Sequence, residues 1–168
     1  LFFIYTNPPR TGNTPTIEKS NNFGFKLIDK TSVASSRDPL IQEQADYGGE
    51  ESYIYAGIYE KQIVCVCIYW YGERYKKRAF WPLKKNEAKL VQIITLPEIR
   101  GYGAAAKLIT YSYSDMIKRG FQRLYARIWH SNTPSVRAFQ KAGWKRIALV
   151  IEINPFRRPN SIRIRFNL

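Results

Sequence analysis

Arg100-Gly101-Tyr102-Gly103-Ala104-Ala105 stands between an apolar run that reads as a strand and a segment that reads as a helix. Small residues after a strand let successive backbone N–H groups turn toward one point, and the helix adds the positive end of its dipole. Such a turn can hold a phosphate or pyrophosphate. About one strand later comes Asn132-Thr133-Pro134-Ser135-Val136-Arg137-Ala138-Phe139-Gln140-Lys141-Ala142-Gly143-Trp144. His130, the only histidine, sits just before it. An imidazole there can serve as a base near neutral pH, or simply bond a loop carbonyl. The glycine turn lacks the Gly-Lys-Ser/Thr of a nucleoside-triphosphate loop. It also has fewer glycines than a dinucleotide fingerprint, and no acidic residue ends the next strand. Cys, His, Asp and Glu do not cluster at metal-ligand spacing, so no metal site is expected.

The elements that must position these residues follow from the hydrophobic pattern. Residues 52–59 and 62–71 are rich in Ile, Val and Tyr and flank Glu60-Lys61, which predicts an antiparallel hairpin. Residues 88–96 form a largely apolar run, as in a strand covered on both faces, and Pro97 stops it. Ala104, Ala105, Leu108, Ile109, Tyr113, Met116 and Ile117 recur at helical spacing up to Gly120. A strand over 121–129 follows, then a short helix over 135–142 started by Pro134 and ended by Gly143, then a strand over 144–153. Ile162, Ile164 and Phe166 alternate with Arg163 and Arg165, which predicts a half-exposed last strand.

The first fifty residues are less regular. The spacing predicts a strand over 23–28, a helix over 36–46 capped by Ser35 or Ser36, and a turn at 47–49. Residues 7–13 and 154–160 read as loops. The order predicts one mixed α/β domain over 1–168, with a largely antiparallel sheet flanked by helices, an atypical part over 1–50 and a core over 51–168.

Length and composition agree. A chain of 168 residues with 45% hydrophobic residues is large enough for a real core. Cys65 and Cys67, the two cysteines, alternate along one strand face, where they cannot readily bridge, so buried free thiols in a reducing, cytoplasmic setting are expected. No run approaches the length of a membrane span. The 27 basic residues against 13 acidic ones give a charge of +14, a field that draws in anions and repels polycationic substrates such as aminoglycosides and polyamines. Arg74, Lys76, Lys77, Arg78, Lys84, Lys85 and Lys89 cluster within 74–89, and each alone reads as part of a solvated face. Abundant aromatics beside basic residues admit a nucleic-acid platform, but no aromatic-basic motif of a known module is present.

The stretch from about 88 to 153 resembles the GNAT-type N-acetyltransferase superfamily. Arg100, Gly103 and Ala105 match its Arg/Gln-x-x-Gly-x-Gly/Ala loop, and Asn132, Ser135, Phe139, Lys141, Gly143 and Trp144 match its second motif. The resemblance implies a GNAT-like fold with splayed fourth and fifth strands and an acetyl-CoA site within 92–144. It implies that the amides of Gly101, Tyr102, Gly103, Ala104 and Ala105 hold the diphosphate, with Arg100 steering its charge. Pantetheine would pair with the backbone of Ile94, Thr95 and Leu96 and with Asn132, and the Leu96 amide would polarise the thioester carbonyl. The implied reaction is direct attack of a small-molecule or protein amine on the thioester, with His130, Glu73 and Tyr71 as residues on the acceptor side, while Glu98, the carboxylate nearest the loop, follows a Pro at a position that is usually solvent-facing. Many relatives carry an acid Tyr where this chain has Phe139. Three alternatives stand: Tyr102, Tyr113 or Ser135 protonates the thiolate, the thiolate leaves unassisted, or the domain is inactive. A non-catalytic acyl-CoA module and a basic nucleic-acid adaptor are the other classes, and the strand edge of the C-terminal hairpin admits a homodimer.

Overall fold

The computed structural model describes residues 1–7, 23–78, 80–153 and 162–168. Of the two expected loops, 154–160 and all of 7–13 beyond Asn7 lie outside the described residues.

Eight strands form one sheet in the order β2-β3-β4-β5-β6-β1-β7-β8. They are β1 (Phe2–Thr6), β2 (Gly24–Ile28), β3 (Ser52–Tyr59), β4 (Gln62–Trp70), β5 (Glu87–Thr95), β6 (Arg123–Trp129), β7 (Lys145–Ile153) and β8 (Ile162–Asn167). Every neighbouring pair is antiparallel except β5 and β6. The mixed α/β class and the order of strands from 51 onward agree with the sequence pattern, while a short helix over Gly72–Lys76 is an addition to it. The β3–β4 turn is tight enough to hold Glu60 and Lys61 at φ 47° and 65°.

Strand β1 is the strand the pattern missed. It lies between β6 and β7, pairing Tyr5 with both Ala126 and Arg146. The unbroken apolar run Leu1 to Tyr5 suits a central strand covered on both faces. Its partners lie more than a hundred residues away, so local pattern could not name them. The helix expected over 36–46 is also corrected. Helix α1 (Lys30–Ala34) is capped by Asp29, and α2 (Pro39–Gln42) by Asp38, whose side chain accepts from the Leu40 amide at 2.8 Å. Pro39 forces Asp38 into an extended conformation (ψ 123°), so Pro39 begins a helix instead of sitting inside one. A 3₁₀ turn, Glu43–Tyr47, completes this cover.

The sheet has two differently clad faces. Helix α4 (Ala104–Lys118) covers one, its Asp115 and Ser112 bonded to Tyr55 and Tyr69 at 2.7 and 2.9 Å. Helix α5 (Thr133–Lys141) lies beside α4, its Phe139 packed edge-on against Trp144. The opposite face carries α2 and the 3₁₀ turn, where the Trp70 indole donates to the Tyr47 carbonyl at 2.6 Å. Short helix α3 (Gly72–Lys76) follows β4. Among the described residues, no helix is long and apolar enough to cross a membrane.

Candidate functional site

The parallel pair β5–β6 is in register from Glu87↔Arg123 to Leu90↔Ala126, and there pairing ends although both strands run on. The sheet therefore opens into a wedge. At its apex, Ile68 faces Gln92 and Tyr69 faces Leu90, which leaves Val91 as the extra residue of a bulge. Beyond the bulge, β5 stays bonded to β4. The Leu96 amide donates to the Val64 carbonyl at 2.9 Å. Antiparallel alternation then turns the backbone of Ile94 toward β4 as well, and that of Ile93 and Thr95 toward the wedge. Of the expected backbone set, the Leu96 amide is engaged in the sheet, and the backbone of Thr95 faces the opening. Ile93, outside the expected set, faces the opening as Thr95 does. The signal for it was strand parity, which fixes which amides a neighbour can use.

The turn before α4 behaves as its residue types require. Gly101 and Gly103 hold φ 90° and 79°, the left-handed region glycine tolerates. Gly103 is the N-cap, no side chain caps this end, and the first helical bond runs from the Lys107 amide to the Gly103 carbonyl at 3.1 Å. The amides of Ala104, Ala105 and Ala106 therefore have no acceptor within the helix and point outward from its positive end. They open onto a cavity of about 610 Å³ between residues 93–95, the start of α4 and one side of α5. Arg100, Gly101, Gly103, Ala104 and Ala105 line it from the turn, and Asn132, Ser135, Phe139 and Lys141 from α5. Ile94 and Thr95 line it from β5; Leu96 and Tyr102 do not. Leu96 is buried and Tyr102 points to solvent, 64% exposed. Arg137, which sequence reasoning passed over, adds a further cation to the wall. Arg100 Nε donates to the Thr95 carbonyl at 3.2 Å, tying the turn to the wedge. Asn132 uses its side-chain oxygen to cap α5 through the Ser135 amide at 3.2 Å, which leaves its NH₂ group for a ligand.

Several expected acceptor-side residues stand elsewhere. His130 lines neither this cavity nor a second one described below; its Nδ1 lies 3.1 Å from the Leu1 carbonyl. Glu73 is exposed and ion-paired with Lys76, and the Tyr71 ring stacks on Tyr53. Glu98 is exposed on the 3₁₀ turn Pro97–Ile99, in keeping with a solvent-facing position. Cys65 and Cys67 are buried free thiols; burial pushes Cys65 up to about 12 and Cys67 higher still, so neither is a nucleophile. Among the described residues no three metal-ligating side chains converge.

A different group stands beside the expected acid position. Phe139 is buried, and the Tyr5 ring from the inserted strand lies 6.2 Å from it. Tyr5 is 1% exposed, and its hydroxyl has no hydrogen-bond partner among the described residues. Burying an unmatched hydroxyl costs about 1–3 kcal/mol, so its retention there asks for a reason.

The family model described as acetyltransferase (GNAT) matches residues 24–144. No curated protein sequence matches the chain. Among solved structures, the chain is similar to the ribosomal-protein-S18-alanine N-acetyltransferase of Escherichia coli, with a TM-score of 0.59 at 15% identity over 84% of this chain and 88% of that one. It is also similar to an aminoglycoside N-acetyltransferase in complex with CoA, with a TM-score of 0.52 at 16% identity over 73% of this chain and 91% of the other. A GNAT-family protein from Novosphingobium aromaticivorans matches with a TM-score of 0.54 at 17% identity over 86% of this chain. The chain spans 59% of that protein's length. At these identities the likeness speaks for the fold.

Proposed function

Because the chain belongs to the acetyltransferase (GNAT) family, we propose that residues 1–168 form a single domain that moves the acetyl group of acetyl-CoA to a primary amine. The observation that carries this reading is the coincidence of an uncapped helix N-terminus with a wedge of unpaired strand backbone in one cavity. The amides of Gly103 to Ala106 would take the diphosphate, with Arg100, Arg137 and Lys141 balancing its charge. The backbone of Ile93 and Thr95, together with the NH₂ of Asn132, would hold the amides of the pantetheine arm. These residues fit an extended ligand with an anionic end and an amide-bearing tail.

In the reaction, the amine nitrogen attacks the thioester carbonyl, the C–N bond forms, the C–S bond breaks, and the thiolate gains a proton as the amine loses one. His130 is not retained for either step, since its Nδ1 is engaged with the Leu1 carbonyl and its ring packs against Trp129. The Tyr5 hydroxyl, unpartnered and beside the cavity-lining Phe139 although Tyr5 itself does not line the cavity, is the donor we assign to the thiolate, in place of the side chain that Phe139 cannot supply. Tyr5→Phe is expected to lower kcat about a hundredfold, in the range of general acid catalysis, with KM for acetyl-CoA unchanged. Steady-state kinetics check this, and an unaltered kcat would mean that the thiolate leaves unassisted.

The function itself is tested by following free thiol from acetyl-CoA against a panel of primary amines. Amine-dependent thiol release with acetylated product supports the reading. CoA binding without release of thiol by any amine would make the protein an acyl-CoA-binding module instead.

A further inference from the structure

A second cavity, of about 320 Å³, lies on the other face of the sheet at the apex of the wedge. Leu90 and Val91, where β5 and β6 part, form its inner wall. Lys89 pairs in register with Trp70 and Tyr125, so it shares the face of Trp70; Arg127, two residues past Tyr125, shares it too. With Arg78 after α3 and Arg163 on β8, four cations converge on one small cavity, and among the described residues no carboxylate lines it.

These cations are held by aromatic faces. Arg127 lies over Phe2 and Phe80 at 4.5 and 4.1 Å, and Arg78 over Trp70 at 4.5 Å. The Lys89 ammonium lies 4.8 Å from the centre of Phe80. An aromatic face positions a cation without cancelling its charge. Arg163 is ion-paired with Glu152 at 3.2 Å, but no described carboxylate comes within ion-pair distance of Arg78, Lys89 or Arg127. The other nearby carboxylate, Glu87, accepts from the Tyr125 hydroxyl and the Lys84 amide.

Lys89 is 3% exposed, and its one hydrogen bond, at 3.1 Å, goes to the Tyr75 hydroxyl. That hydroxyl also accepts from the Trp81 amide at 3.1 Å, so its own proton is given to no acceptor among the described residues. Tyr75 is 2% exposed. A buried ammonium and a buried phenol both therefore present unmatched donors to a cavity ringed by like charges, and burial together with Arg127, Arg78 and Arg163 pulls Lys89 down to about 7. An anion in the cavity would satisfy both donors and relieve the mutual repulsion.

We propose that this cavity is an anion site on the acceptor side, and that the acceptor is an amine carrying its own carboxylate or phosphate, held by Lys89, Arg78, Arg127 and Tyr75. This rests on the acetyl-transfer reading for the word acceptor, but the anion site stands apart from it. The amine then enters the wedge from the face opposite the CoA cavity, past Val91.

Two measurements test this. The first titrates inorganic phosphate into the protein saturated with CoA, following the Lys89 side-chain signal by NMR. Phosphate is expected to raise the pH at which Lys89 titrates, and Arg127→Met is expected to weaken that response at least about tenfold, as loss of a buried charge-assisted partner does. No response of Lys89 in the wild type overturns the proposal. The second compares amino acids and phosphoamines with their neutral carboxamide or alcohol isosteres as acceptors. The anionic member of each pair is expected to have a kcat/KM at least about tenfold higher, with the ratio collapsing in Arg127→Met. Equal turnover of both members overturns the acceptor assignment and leaves acetyl transfer standing. A Lys89 response to phosphate with no amine acetylated leaves the anion site standing and removes the acetyl-transfer reading. A preference for carboxylates or for phosphates identifies the source of the charge.

Discussion

Gly103→Trp should abolish CoA binding while leaving the fold intact. A Cβ at Gly103 meets no heavy atom within 4 Å, so the protein has room for a side chain there. The local cost is the φ of 79°, roughly 1–2 kcal/mol for a non-glycine residue. The indole would project from the N-cap across the amides of Ala104 and Ala105. Loss of a diphosphate's contacts with a helix terminus and its cations is expected to raise Kd for CoA at least about a hundredfold, or ~2.7 kcal/mol. Gly103→Ala separates the two effects, because it carries the backbone strain but does not cover the amides. Calorimetry on both variants is the check. Equal weakening by Ala and Trp would place the effect in the backbone, and no weakening by Trp would remove CoA from this turn.

Lys89→Met should stabilise the protein, most strongly at acidic pH. The ammonium is buried at the foot of a cavity and faces Arg78, Arg127, Arg163 and the Tyr75 hydroxyl. Its folded-state pKa is pulled down to about 7 from an ordinary 10.5, first by burial and then by those arginines. The sign follows from proton counts. Between these values the unfolded chain holds a proton that the folded chain has lost, so wild-type stability rises with pH across the window. Below pH 7 both states are charged and the full penalty remains. Methionine keeps the unbranched apolar stem without the charge. At pH 6 the gain is expected to be about 2–4 kcal/mol, given 1.4 kcal/mol per pKa unit and partial relaxation of the site. The difference between variant and wild type should shrink as pH rises from 7 toward 10.5. Denaturant unfolding at several pH values measures it, and a Met variant less stable than wild type throughout would contradict the burial argument. A residue that costs this much stability in the free protein is explained by a ligand that needs it.

The way Lys89 escaped the sequence shows where local pattern stops. It closes a run of basic residues that reads as a solvated face, yet it also lies inside Ala88-Lys89-Leu90-Val91, the start of a strand that reads as covered on both faces. The second reading is the one that holds for residues 87–90, all buried. A lone lysine in a run of that kind was the available signal. By contrast, the turn at 100–105 and the Asn132 helix were legible because their chemistry is local: positive φ needs glycine, and a helix start needs a cap and tolerates proline. Asp38-Pro39 also carries a local signal, an N-cap followed by Pro at the first helical position, that competes with a cap at Ser35 or Ser36. Strand β1 could not be placed from pattern, since its position between β6 and β7 rests on contacts across the whole chain. With it went Tyr5, and hence the hydroxyl beside Phe139. The choice between Ile93 and Leu96 as backbone donors depended on which neighbour β4 offers to each amide, which only register decides.

The proposed acetyl-CoA site rests on one cavity, with its uncapped helix and the strand backbone that opens onto it. The most direct test is an amide NMR titration with CoA. The account predicts that the largest shifts fall on Gly103, Ala104, Ala105 and Ala106 at the helix start and on Ile93 and Thr95 along the wedge, with Ile94 and Leu96 moving less. Shifts confined to other surfaces, or none as CoA is raised, would contradict it.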